Sequence, residues 1–164
     1  MGLRILIAVA AVPILVAVMP SFAQGIAFSP DATETCLADI DRKTDRRICV
    51  GQSARACEQG GDIAGCMSAE IAYWDARLDV VFGLVMERAI GKDGNATSLN
   101  LIPRDQAGAL QTAQDSWLAY RADACAFEQT FWSSGDADSP EVRACHLYLT
   151  AEQVFYLEAI ALIE

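Results

Sequence analysis

The chain has 164 residues, 53% of them hydrophobic, and carries 22 Asp and Glu against 12 Lys and Arg, for a formal net charge of −10. That length suits one domain with a real core, and that charge excludes a protein built to bind nucleic acid or an anionic membrane. It draws cationic partners instead, quickly at low salt, unless the acidity serves solubility alone.

Residues 1–19 hold one basic side chain, Arg4, and then a long apolar run. Pro20 and Ser21, Phe22 and Ala23 follow, with small residues at the two positions that signal peptidase reads. This predicts a secretory signal over 1–23, cleaved after Ala23. A retained membrane anchor is the rival, and the apolar run is short for one. The remainder, 24–164, reads as a single domain: 24–62 a Cys-rich hairpin extension and 63–164 a core bundle. All six Cys fall in this exported part. An even count in an oxidising compartment predicts three disulfides. Zinc is a weak rival, because there is no C-x-x-C pair and the single histidine, His146, directly follows Cys145. No metal and no cofactor is expected.

In chain order, residues 33–42 read as a first helix. Thr44 is an N-cap for a second, running to about residue 59. Gly60 and Gly61 break this hairpin. A third helix is predicted over 64–90, with Ile71, Trp74, Leu78, Val81 and Val85 on its apolar face and Phe82 and Met86 at the edge. Gly91 and Gly94 are expected to end it. Asn95, Ala96 and Thr97 match a glycosylation sequon, a triplet short enough to arise by chance. Residues 100–103 open a central helix. In it Leu110, Ala113, Trp117, Tyr120, Ala124, Phe127 and Phe131 recur at steps of three and four, one apolar stripe. Gln114, Arg121 and Glu128 run along the edge of that stripe. Residues 133–138 form a polar, acidic loop. Ser139, Pro140 and Glu141 then start the last helix with a capping hydroxyl, a first-turn proline and an acid that suits the dipole. Cys145, Leu149, Tyr156, Ala159 and Ile163 keep helical spacing. No strand alternation appears. The expected fold is all-α: a small bundle of three long helices plus an N-terminal helical hairpin, stapled by disulfides.

The spacing of the Cys suggests their pairing. Cys36 and Cys49 stand nearly equidistant from the turn at Lys43 and Thr44. Cys57 and Cys66 flank the Gly-rich break. Cys125 and Cys145 flank the loop between the last two long helices. The expected bridges are therefore Cys36–Cys49, Cys57–Cys66 and Cys125–Cys145, each worth about 2–4 kcal/mol.

No catalytic constellation emerges. A Ser-His-Asp arrangement would need His146, and no nucleophile-elbow motif accompanies it. Phosphate-binding glycine loops are absent. Paired carboxylates suit glycosidase work in principle, but with this many acids proximity needs geometry. Trp74 and Trp117 could stack on a sugar, though core packing explains them better. One polar set stands out: Glu70, Asp75, Gln114, Arg121 and Asp123. Arg121 flanks the apolar stripe, and a buried guanidinium needs a carboxylate, Glu70 or Asp75. The set reads as an interhelical ion-pair core, with a binding site as the alternative.

These same residues carry a resemblance. Cys66, Glu70, Trp74, Asp75 and Leu78 stand at the spacing C-x3-E-x3-W-D-x2-L. Ala113, Gln114, Trp117, Arg121, Asp123 and Cys125 follow an A-Q-x-x-W-x3-R pattern with a closing acid and Cys. Cys145 and Thr150 close with C-x4-T. The segment from Cys66 to Glu158 resembles the lysozyme-inhibitor LprI-like domain family. It departs from the family pattern in three places: Asp79 replaces an Asn, Ala122 is inserted before Asp123, and Gln153 stands where an Arg often follows the Thr. The resemblance implies a small, exported, helical, Cys-stapled protein with no catalytic residues.

Together these readings predict an exported, non-enzymatic binding protein of the bacterial envelope, periplasmic or secreted, inhibiting lysozyme. Its expected partner is a cationic protein such as lysozyme. No nucleic acid and no membrane span after signal cleavage is expected. The alternatives are an assembly factor for another envelope protein and, less supported, a glycan-cleaving enzyme. The candidate contact residues are Asp136, Asp138 and Glu141, on a loop pinned by the expected Cys125–Cys145 bridge.

Overall fold

In a computed structural model the described residues are 27–41, 44–57, 62–132 and 136–162. The expected leader and its cleavage site lie outside them, as do residues 133–135 of the acidic loop. The elements in chain order are α1 (Asp31–Asp39), a 3₁₀ turn (Arg46–Cys49), α2 (Gln52–Cys57), α3 (Ile63–Ser98), α4 (Gln106–Trp132) and α5 (Pro140–Ala161). No strand occurs among the described residues, and the fold is all-α.

α3 is the mast of the molecule. Asp62 caps its start, accepting the Gly65 N–H at 2.8 Å, a role for which Asp is well suited. Cys66, Glu70, Trp74, Leu78, Val81, Val85 and Ala89 are its buried side, at steps of three and four. The helix does not end at Gly91 and Gly94 as the sequence suggested. It continues to Ser98. There Asn100 turns left-handed at φ 55°, and the Asn100 and Leu101 N–H groups bond back to the Thr97 and Ala96 carbonyls. This is a Schellman ending with Asn in the place Gly usually takes. Interior glycines cost about 1 kcal/mol each relative to Ala, so something must favour continuation. Asp93 is one such contribution: its Oδ2 accepts the Ala107 N–H at 3.0 Å, so the last part of α3 caps the first turn of α4. The expected opening of α4 at 100–103 is accordingly a connector, and the helix starts at Gln106.

α5 packs along α3, and the two run in the same direction: Arg77 meets Glu158 further along both helices than Arg143 meets Ser68. α4 runs antiparallel to both, with Arg121 against Asp75 and Gln114 against Gln153. Trp74, Leu78, Val81 and Val85 from α3 interlock with Leu147, Ala151, Val154 and Leu157 from α5, and Val50 closes the cluster. Burying a side chain the size of Leu157 contributes about 1.5–3 kcal/mol. Phe155 meets the Trp74 ring edge-on at 5.3 Å, a favoured aromatic geometry.

The N-terminal hairpin differs from the single second helix expected over 44–59. Asp45, not Thr44, caps the 3₁₀ turn, accepting the Arg47 N–H at 2.9 Å. Val50 is then extended and Gly51 takes φ +84°, a conformation that costs glycine little. That kink turns Cys49 and Val50 inward, where both are buried. Disulfides join Cys36 to Cys49, Cys57 to Cys66 and Cys125 to Cys145, with Cα–Cα distances of 5.5, 5.7 and 5.5 Å.

Candidate functional site

The polar set divides into two unlike groups. Glu70 is fully buried and forms no salt bridge among the described residues. Its Oε1 accepts the Thr33 hydroxyl at 2.9 Å, the Gly51 N–H at 2.8 Å and the Trp74 indole N–H at 3.3 Å. Its Oε2 accepts the Ala54 N–H at 2.6 Å. The carboxylate thus serves as the N-cap of α2 from another helix, where backbone N–H groups are unsatisfied and the dipole favours negative charge. Thr33 and Ser53 complete the network: each backbone N–H donates to the other's hydroxyl oxygen at 3.0 Å. Glu70 therefore does not pair with Arg121, one of the two partners the sequence offered. The signal for its true role lies in its position: it falls on the buried face of α3 between Cys66 and Trp74, where a charge needs several donors.

Arg121 pairs with Asp75 at 2.6 Å and also donates to the Thr150 hydroxyl at 2.7 Å. Its guanidinium lies over the Trp117 ring, 4.9 Å from the centroid, so one side chain joins α3, α4 and α5. The Asp75 side chain is 45% exposed and that of Arg121 19%, so the pair sits at the bundle surface rather than in its core. Gln114 is buried and accepts from Gln153 Nε2 at 3.0 Å. Asp123 is exposed and joins neither group. His146 faces the Arg121 pair. Burial keeps its ring neutral to lower pH than usual, Arg121 adds to this, and Asp75 opposes it.

A second clamp was not foreseen. Arg46 and Arg77 share Glu158 at 2.7 and 2.6 Å, and Arg46 lies over the Phe155 ring at 4.1 Å. Burial raises the Tyr73 phenol above its ordinary range, the hydrogen bond from Arg77 opposes that, and Glu34 adds to it. Burial works against the Arg77 charge, but Glu158 and Tyr73 outweigh it and raise its pKa further. This clamp ties the hairpin to α3 and α5. Among the described residues no group of three or more His, Cys, Asp or Glu is placed to hold a metal ion.

The far end of the bundle, where α4 meets α5, presents a different surface. The stripe expected on α4 is turned: Gln114 and Cys125 are its buried residues, Leu110, Trp117 and Arg121 lie beside them half-buried, and Tyr120, Phe127, Phe131 and Trp132 are 58–62% exposed. Phe131 stacks on Phe127 at 5.6 Å and meets Trp132 edge-on at 4.6 Å. Tyr120, Phe127 and Trp132, facing Tyr148 and Leu149 of α5, line a groove of ≈ 560 Å³ with Cys145 in its wall. Glu128 and Glu141 also line it. The acidic loop continues from there. Asp138 is 89% exposed and lies 3.4 Å from Arg143. The Asp136 carboxylate accepts the Asp138 N–H at 2.9 Å. Ser139 caps α5, accepting the Val142 N–H at 3.3 Å, with Pro140 in the first turn.

The family model for lysozyme inhibitor LprI matches residues 49–157, which contain the Arg121 tether, the groove and the Glu70 network apart from Thr33. The chain is also 32% identical, over 82% of its own length and 88% of the relative's, to a Rhodobacter capsulatus protein described as an uncharacterized 17.7 kDa protein in the puhA 5′ region. No solved structure matches. With a match to the LprI model over most of its length and a relative at this identity, the chain belongs to the lysozyme inhibitor LprI family.

Proposed function

We propose that this protein is an exported, non-enzymatic binding protein that inhibits a basic lysozyme through the acidic end of its α4–α5 pair. The leader over 1–23 is removed, and the single domain from residue 24 onward acts in the periplasm or the medium. The observation that carries the reading is the acidic tip: Asp136, Asp138 and Glu141 stand exposed beside two helices bridged by Cys125 and Cys145. A pinned loop loses little entropy on binding, and a protein of net charge −10 is steered toward a strongly basic partner. Family membership supports the same partner class. The described residues offer no helix long and apolar enough to cross a membrane, and the disulfides suit an oxidising compartment.

A turbidity assay on bacterial wall fragments tests the reading. The purified protein should slow clearing by added basic lysozyme and leave the fragments intact when added alone. Clearing by the protein alone would make it an enzyme. Unchanged lysozyme activity would leave an assembly role for another envelope protein as the better reading.

A further inference from the structure

The groove at the α4–α5 end has a composition that selects its ligand. Scattered exposed apolar residues are ordinary on a protein surface, but a contiguous patch marks a binding site. Here Tyr120, Phe127 and Trp132 of α4 face Tyr148 of α5, with Glu128 and Glu141 among the same lining and no Lys, Arg or His among the described residues that form it. Among the described residues, neither carboxylate is joined to a cation by a salt bridge. Aromatic faces attract cations, and carboxylates accept charge-assisted hydrogen bonds. The groove also lies over the last turns of α4, where the helix dipole favours positive charge. Ser139 and Glu141 offset the opposite dipole at the start of α5.

We propose that this groove seats a lysine or arginine side chain presented by a cationic protein, a subsite that rests on the reading of the molecule as a binder of basic partners. An alkylammonium or guanidinium satisfies the rings and the carboxylates together. A neutral sugar stacks on the rings but leaves both carboxylates without a counter-charge. A second copy of this chain would bring its own net charge of −10 and bury four carboxylates with no cation between them, which is costly. The Cys125–Cys145 bridge fixes the two helices that form the walls, so the seat is formed before the partner arrives.

The test uses the intact protein and two probes: a short blocked peptide containing Arg and Lys, and a soluble chitin oligomer. The ring resonances of Trp132 and Tyr148 should shift with the peptide and stay in place with the oligomer. In parallel, calorimetry measures affinity for a basic lysozyme in two double variants, Phe127→Ala with Trp132→Ala and Glu128→Gln with Glu141→Gln. Each should weaken binding about tenfold while the melting temperature stays near that of wild type. The Gln pair keeps side-chain shape, so it gives the readout even where loss of two rings disturbs the fold. Shifts with the oligomer and none with the peptide overturn the proposal, as does undiminished lysozyme affinity in both variants. If the peptide shifts the rings but lysozyme is not inhibited, the cation seat stands and the inhibitor reading falls. If lysozyme is inhibited and the rings stay silent, the reverse holds.

Discussion

Glu70 on α3 holds the backbone N–H of Ala54 on α2 at 2.6 Å. The six-residue α2 is too short to persist on its own helical propensity, so its first turn depends on a carboxylate supplied by another helix. Glu70→Ala strands four buried donors at once and should cost about 3–5 kcal/mol. Glu70→Gln keeps one acceptor oxygen and replaces the other with a donor that faces the Ala54 N–H, at about 1–3 kcal/mol. Urea denaturation with the disulfides intact measures both. A cost below that of an exposed substitution in Glu70→Ala would contradict the network.

Arg121 gives a smaller effect than the sequence implied. A buried carboxylate left without its cation costs about 3–5 kcal/mol, but the Asp75 side chain is 45% exposed and water replaces much of what Arg121 provides. The expected loss for Arg121→Ala is about 1–3 kcal/mol, from the Thr150 hydroxyl and the Trp117 stacking rather than from the ion pair. Arg121→Lys should recover less than half, since one ammonium cannot bond Asp75 and Thr150 and also stack flat. Thermal melts of the two variants decide the order.

Gly91 and Gly94 lie inside α3 on exposed positions, and a Cβ at either meets nothing within 4 Å. Alanine at each should therefore stabilise the protein by about 0.5–1 kcal/mol. A lower melting temperature in Gly91→Ala would mean that the helix ends there, as the sequence alone suggested.

His146 makes stability depend on pH in a definite direction. Burial, then Arg121, hold its folded pKa below the ordinary value of 6.5. The unfolded chain therefore binds this proton more readily. The contribution of the neutral ring is complete above the unfolded value and is lost as pH falls through 6.5 toward the folded value. His146→Gln should flatten the decline in melting temperature over that window relative to wild type. An equal or steeper decline in the variant would remove His146 from the account.

The number of helices and the cap of α5 were legible in the sequence because they are local. Ser139, Pro140 and Glu141 announce α5, and Cys positions either side of short breaks place their sulfurs within reach of each other. What was not legible depends on neighbours. The stripe from Leu110 to Phe131 satisfies helical spacing equally well with Tyr120 or with Gln114 facing inward. The choice is made by Cys125, which must meet Cys145, and by Arg121, which must reach Asp75 and Thr150. Together they turn Phe127 and Phe131 outward. Glu70 was read, beside Asp75, as one of two candidate partners for Arg121 because all three are charged and central. The backbone N–H groups that claim Glu70 belong to Gly51 and to Ala54 of α2, and the start of α2 is set by the Gly51 kink, a turn with no weight in hydrophobic periodicity. Gly91 and Gly94 read as a stop because their cost is local, while the contact that favours continuation is made with α4, whose Ala107 N–H donates to Asp93.

The most direct test of the account is the association kinetics of the protein with a basic lysozyme across a salt series, wild type beside a variant with Asp136→Asn, Asp138→Asn and Glu141→Gln. Loop charges this exposed contribute little to stability, so the variant should fold normally. It should bind with a slower on-rate and a shallower salt dependence, its off-rate changing less. Absence of any affinity in the wild-type protein at low salt would contradict the lysozyme reading outright. Equal on-rates for wild type and variant would move the contact away from this loop.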